Sequence, residues 1–347
     1  MHVSDPIRLL LRVARFLPLL FFLPLGNWIA SRPIVQPWFM REFDRMAQTM
    51  LKGIPIWSAA DERPLKIAYL THAPSRAQVL VLGSSRAMEI SSAWFPHQTM
   101  FNAAVPAGGI DDAVSIFELC LGTGKTPDLV LLELSPMLIP VHIGYKDWRS
   151  VAPYFDRALA RYHISKPPSR LISELLSTAQ LHRNLRALAG IPWGTFVEDA
   201  QSAILPDGFH RYSRTQEDEP SSKLDEEVAL TLLKHPQENV NSGRTHSVPH
   251  EFEIALFRRF LDDLFARRVR LVVLLPPVHP LAYEYYAKQG GYDEHWIRKE
   301  MASRGIPVVG SFSPAIARAT SSDFYDEAHP RPGIVRRLLA DAHVIEE

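Results

Sequence analysis

Cysteine is nearly missing from this chain: Cys120 stands alone among 347 residues, which excludes an internal disulfide framework and any cysteine-built metal site. No charge of one sign prevails either. The 38 Lys and Arg balance the 38 Asp and Glu, so the basic face that nucleic acid demands has no support in the composition. Internal repeats and low-complexity tracts are absent. With 46% hydrophobic and 22% charged residues, a disordered, collagen-like or many-span membrane protein is excluded. What is plentiful is proline, at 28 residues, and it favours stiff connections and sharply stopped elements. The length admits one large α/β domain with an insertion or two modest domains.

Long apolar runs are also scarce. The best one, Phe16 to Ala30, is interrupted by Pro18, Pro24, Gly26 and Asn27 and follows Arg8, Arg12 and Arg15. Basic flank followed by apolar run is the layout of a signal peptide or signal anchor. The flank would hold the N-terminus in the cytoplasm and send the rest across. The run falls short of the ~20 apolar residues that span a bilayer unless the leucines between the arginines are recruited. Trp28 spoils a small-x-small cleavage site before Ala30. The expectation is therefore an uncleaved membrane anchor over residues 1–32. The alternatives are a cleaved signal and an amphipathic helix lying on a membrane or on the protein itself.

Residues 33–74 read as an amphipathic linker or helix leading off that anchor. An α/β domain follows over 75–347, with an insertion at about 145–250. AQVLVLGSS (77–85), TMFNAAV (99–105) and PDLVLLELSP (127–136) carry the apolar runs of buried parallel strands. Between the last two, residues 110–122 have helical spacing, with Asp111 and Asp112 favouring the N-terminus. This alternation argues for a parallel sheet with right-handed connections. The insertion holds a helix-like stretch (169–190) and a polar segment (211–227). The α/β rhythm resumes at 250–278, a helix and then a strand stopped by Pro276 and Pro277. A short strand at 306–312 and a helix from about Pro332 close the pattern.

Two distant segments could carry chemistry. Gly83-Ser84-Ser85 ends the first sheet strand, and open α/β sheets bind ligands beyond the carboxyl ends of their strands. Asp326-Glu327-Ala328-His329 precedes the last helix. A nucleophilic serine needs a base for its proton and a third group to hold that base. An Asp three residues before a His can supply the latter on one turn, and Ser, Asp, His is a known chain order for it. Ser84 is an alternative nucleophile, and His329 could instead cap the last helix. Glu133 would bond Arg86 or face the insertion, and Cys120 reads as a small core residue. Gly122-Thr123-Gly124-Lys125-Thr126 lacks the glycine and strand order of a phosphate loop. His246 and His250 lie too near Gly243 and Pro249 for a helix to present both to a metal. His279 and Tyr283, past the Pro276-Pro277 strand, lie at the sheet edge of the proposed site and either line a substrate groove or belong to a surface loop.

Taken in order, Gly83-Ser84-Ser85, FNAAVPAGG (101–109), LELSP (132–136) and Asp326-Glu327-Ala328-His329-Pro330 resemble the blocks of the SGNH/GDSL hydrolase superfamily. Within it, the chain is similar to the DltD-like and alginate-acetylation-type proteins of the cell envelope. The resemblance covers about 75–140 and 250–345. It implies a three-layer α/β/α sandwich with a central parallel sheet. It implies Ser85 as nucleophile, His329 as general base and Asp326 as its orienting carboxylate. The oxyanion hole would use the backbone N–H of Ser85 and one from the turn at Ala107-Gly108. Apart from the resemblance, Arg86, Asn102 and His279 are candidates for a substrate groove; Asn102 could instead tie the second loop to the first by hydrogen bonds or be a plain turn residue. No metal or organic cofactor is called for.

The resemblance also implies an acyltransferase or esterase acting on a cell-envelope glycan or glycolipid. A membrane-bound O-acyltransferase would be its partner. The place would be the bacterial inner membrane, with the catalytic domain facing the periplasm. Other expectations are a non-catalytic envelope docking protein on the same scaffold and an esterase for small diffusible esters. Three departures from the family pattern stand out. Gly-Asp-Ser-Leu reads Gly83-Ser84-Ser85-Arg86. The third block has Ser135-Pro136 where asparagine is usual, as DltD-like proteins do. The second block has Pro106-Ala107-Gly108 where Ser-Gly is common.

Overall fold

The structure, a computed structural model, describes residues 17–30, 36–57, 62–134, 150–166, 203–210, 221–234, 251–288 and 294–346. The chain begins with α1 (Leu17–Ala30), α2 (Gln36–Leu51), β1 (Ile56–Trp57) and α3 (Glu62–His72). It continues through β2 (Val79–Leu82), β3 (Met100–Asn102), α4 (Ile110–Gly122), β4 (Leu129–Glu133) and α5 (Ala152–Tyr162). Next come β5 (Ala203–Ile204), α6 (Ser221–Lys234), α7 (Glu251–Ala266), β6 (Arg270–Leu275) and α8 (Pro280–Ala287). Last are α9 (His295–Ala302), β7 (Val308–Gly310), α10 (Pro314–Ala317) and α11 (Pro332–Asp341). Ser135 and Pro136, the helix-like stretch 169–190, and His246 and His250 lie outside the described residues.

A five-stranded sheet in the order β3-β2-β4-β6-β7 organises the molecule, and every pairing in it is parallel. The apolar runs are continuous because both faces are covered. Leu80, Leu82, Val130, Leu132, Val273 and Leu275 point to one core, shared with α3, α4, α5, α7 and α9. Their neighbours Val79, Val81, Leu129, Leu131, Val272 and Leu274 point to the other, covered by α11 and the turns after β2. Period-two alternation thus divides each strand between two helical layers. Pro332 opens α11 at its first position, where its missing N–H costs nothing.

Two smaller cores flank this sandwich. Phe43, Met46, Ala47 and Met50 of α2 pack on Leu65 and Ala68 of α3 and on Ile56 and Ile204, where β1 pairs antiparallel with β5. Leu224, Val228 and Leu232 of α6 pack on Ala282 and Tyr286 of α8 and on Phe324. Through these two contacts the described parts of the 145–250 region, β5 and α6, pack against α2, α3 and α8. The second half of the 33–74 stretch is α3, whose Ile67 and Leu70 sit in the sheet's own core. Lys125, from the segment that fails as a phosphate loop, donates to the Leu70 and Thr71 carbonyls at the C-terminal end of α3.

The membrane anchor needs correction. No helix among the described residues is long and apolar enough to cross a membrane. α1 has 14 residues and contains Pro24. At ~1.5 Å per residue it reaches ~21 Å, against ~30 Å of hydrocarbon. The expected single N-terminal span, and with it the assignment to the inner membrane with a periplasmic domain, is not supported.

Candidate active site

The chain runs from β2 outward to β3, then crosses back to β4 on the other side of β2. The carboxyl ends of β2 and β4 therefore flank the point where the strand order reverses, the crevice where such sheets bind ligands. Gly83 leaves β2 with φ 150°, and a Cβ there would stand 2.6 Å from Glu133 Oε2, so this turn is closed to any side chain. Ser84 then caps a short 3-10 turn, Ser85–Ala87, its hydroxyl accepting from the Arg86 N–H at 3.4 Å. Its own N–H donates to Glu133 Oε2 at 2.7 Å. Ser85 emerges partly exposed from this anchored turn.

The last sheet strand, β7, lies at the far edge from β3, and the following segment returns across the strand ends. A small hairpin, bridged at Phe324 and Pro330, carries Asp326 and His329. The Tyr325 N–H donates to the His329 carbonyl. Phe324 is fully buried and fixes the hairpin in the α6–α8 core. The Tyr325 hydroxyl donates to Glu89 Oε2 at 3.1 Å, joining the hairpin to the segment after Ser85. Arg331 lies over the Tyr325 ring at 4.7 Å and donates to the Phe324 carbonyl.

This brings the two halves of the site together. Ser85 Oγ and His329 Nε2 are 2.7 Å apart. His329 Nδ1 lies 2.7 Å from Asp326 Oδ2 and 3.0 Å from Oδ1. Asp326 has no proton to give, so Nδ1–H donates to it and Nε2 is left to accept from the Ser85 hydroxyl. Asp326 Oδ1 also accepts the Ala328 and His329 N–H groups at 2.8 and 2.7 Å. Burial alone would raise this carboxyl. The His329 hydrogen bond and charge, with the two backbone donors, outweigh it and hold Asp326 below the usual aspartate value.

The turn at Ala107-Gly108 meets the Ser85 turn directly. Val105 N–H donates to the Gly83 carbonyl at 3.1 Å, and a Cβ on Gly108 would lie 2.1 Å from that oxygen. The Gly108 N–H is already spent on the Val105 carbonyl at 2.8 Å, so of the two amides in the turn only that of Ala107 is open to an oxyanion. Ala107 is exposed, has φ 44°, and its N–H makes no hydrogen bond among the described residues. A non-glycine residue held at such a φ costs about 1–3 kcal/mol, a strain that clusters at functional sites.

The expected groove residues are elsewhere. Asn102 is fully buried; its Nδ2 donates to the Ala87 and Ile90 carbonyls and its Oδ1 accepts from Ala104 N–H. It ties the second loop to the first and meets no groove. Arg86 is also buried, donating to the Pro276 and Pro277 carbonyls at 2.5 and 2.6 Å, so it ties the Ser85 turn to the end of β6. His279 is sealed from solvent between Phe324 and α6, with Nε2 3.2 Å from Asp225 Oδ1. Its Nδ1 accepts the Leu281 N–H and caps α8. Burial lowers its pKa against the pull of Asp225 and Asp326.

Glu133 faces the Ser85 turn, and burial raises its carboxyl despite the charge of Arg86 nearby. Cys120 is buried among apolar side chains, its thiol pushed up to about 12. Sequence reasoning missed Glu89 and Tyr325; the position of Tyr325 immediately before the Asp326 block was the one available signal. Among the described residues no group of three or more His, Cys, Asp or Glu is arranged to hold a metal ion. No family model matches the chain, and no curated protein or solved structure matches it.

Proposed function

We propose that the chain is an SGNH-like serine enzyme, an ester hydrolase or O-acyltransferase that works through an acyl group on Ser85. The observation that carries this reading is the hydrogen-bonded line from Ser85 through His329 to Asp326. It is closed between residues 244 positions apart, beside the strand-order reversal of a parallel sheet. A chance serine after a strand has no reason to meet a histidine whose other nitrogen is already held by a carboxylate.

In the proposed reaction His329 Nε2 takes the Ser85 proton as Oγ attacks an ester carbonyl. The tetrahedral oxyanion accepts from the backbone N–H groups of Ser85 and Ala107, donors of a kind worth about 2.7–4 kcal/mol each. The imidazolium, steadied by Asp326, then gives its proton to the departing alcohol, leaving an acyl-serine. His329 next deprotonates water or a sugar hydroxyl, which attacks the acyl carbon and releases Ser85 with its proton restored. The three side chains are only partly buried, so water reaches the acyl-serine when no acceptor covers it. Hydrolysis is the activity expected of the chain by itself. Transfer to a glycan or glycolipid hydroxyl, the acceptor class that the resemblance suggests, is expected when that hydroxyl fills the site.

The test is covalent labelling by a fluorophosphonate probe of the folded wild type beside Ser85→Ala, Ser84→Ala and His329→Ala. Labelling should vanish in Ser85→Ala and His329→Ala and persist in Ser84→Ala. A folded wild type that takes no label, or a Ser85→Ala chain that still takes it, would overturn the proposal.

A further inference from the structure

The loop that offers the Ala107 N–H is gripped from behind by α3. Arg63 and Lys66 of that helix are sealed from water. Lys66 Nζ forms a short hydrogen bond to the Ala104 carbonyl and an ion pair with Glu62. Arg63 Nη2 donates to the Pro106 carbonyl at 2.8 Å and reaches the Ala107 carbonyl at 3.4 Å. The same guanidinium is fixed by a forked pair with Asp112 at the start of α4, Nε to Oδ1 at 2.7 Å and Nη2 to Oδ2 at 2.9 Å.

The Pro106 carbonyl and the Ala107 N–H belong to one peptide unit. No cis peptide is present among the described residues, so the two groups point to opposite sides of that unit. With the carbonyl drawn inward to Arg63, the N–H is turned away from α3 and into the open. On the other side, the contact of Gly108 with the Gly83 carbonyl keeps the loop against the Ser85 turn. We infer that Arg63 is a positioning residue for the oxyanion donor, aiming the Ala107 N–H by holding the Pro106 carbonyl. The inference rests on the acyl-serine reading above and adds α3 to its machinery. Arginine suits the task because one planar fork serves Asp112 and the loop together. A lysine ammonium keeps the charge without that geometry.

The test compares the full chain with Arg63→Lys and with Leu70→Ala, which loosens the apolar packing of the same helix without touching the loop. Each folded protein is assayed for kcat and KM on a p-nitrophenyl ester, for its rate of fluorophosphonate labelling, and for its pH–rate profile. Arg63→Lys should lose about 10- to 100-fold in kcat and in labelling rate, part of what a whole lost donor costs. Its KM should stay within about twofold and its pH profile unchanged, because the base is untouched. Leu70→Ala should melt at lower temperature and keep kcat per folded molecule within about threefold. Equal losses of kcat in the two variants, or an Arg63→Lys chain as fast as wild type, would overturn the role of Arg63 alone. A wild type that neither labels nor turns over would overturn the acyl-serine reading and this inference together.

Discussion

Glu133 ends β4 with its carboxyl sealed from water, Oε2 accepting the Ser84 N–H and Oε1 meeting no hydrogen-bond partner among the described residues. Burial raises its pKa, so the folded chain binds its proton more tightly than the unfolded chain does. The stability it contributes is complete below the ordinary glutamate value and is lost as pH rises through the raised one. Glu133→Gln keeps an acceptor for Ser84 and removes the titration. The melting temperature of this variant relative to wild type should therefore climb as the pH is taken from about 4 to about 8. A flat difference would mean that burial does not raise the Glu133 carboxyl. At this scale the sequence located residues better than it measured their depth. The meeting of Ser85 with Asp326 and His329 was legible because all three lie within recognisable blocks. Asn102 does tie the second loop to the first, one of the roles its position suggested; His279 lies near the strand ends, yet whether a polar side chain there faces a groove or the core depends on neighbours far away in the chain.

Among the elements, β2, β4 and β6 were legible as apolar runs, and α4 keeps the 110–122 limits its spacing predicted. α3 was not legible as part of the fold. Its buried surface includes Glu62, Arg63 and Lys66, so the charges that bind it to the second loop mask its apolar stripe. β5 is only two residues long, too short to show an alternation. The meeting of the β2 and β3 turns rests on glycine, and it can be tested there. Gly108→Ala would place a Cβ 2.1 Å from the Gly83 carbonyl, and the backbone must give way. The expected cost is about 1–3 kcal/mol, read as a lower melting temperature. Fluorophosphonate labelling should fall with it, because the two turns that carry the donors are pushed apart. Unchanged melting and labelling would show that the close approach is dispensable.

For the whole molecule, the extent of the cooperative unit follows from the same contacts. A chain starting at residue 75 would uncover the core side chains that Ile67 and Leu70 protect and would leave Asp112 without Arg63. Losing one partner of such a buried pair costs about 3–5 kcal/mol, a large share of a typical domain's stability. That truncated chain should show no cooperative melt by circular dichroism, whereas one starting at residue 36 should keep it. A cooperative melt of the shorter chain at the wild-type temperature would place α3 outside the folding unit. The separation of Ser85 from His329 has a consequence in time. A ribosome adding about 5–20 residues per second makes Ser85 roughly 12–50 s before His329 arrives. On the proposed acyl-serine reading, the hydroxyl is an ordinary alcohol throughout that interval, inert toward the esters around it, and the nascent chain is safe from premature acylation. A single proteolytic nick between the two has the same effect if the pieces part. Reactivity toward a serine probe would then serve as a census of finished, intact molecules.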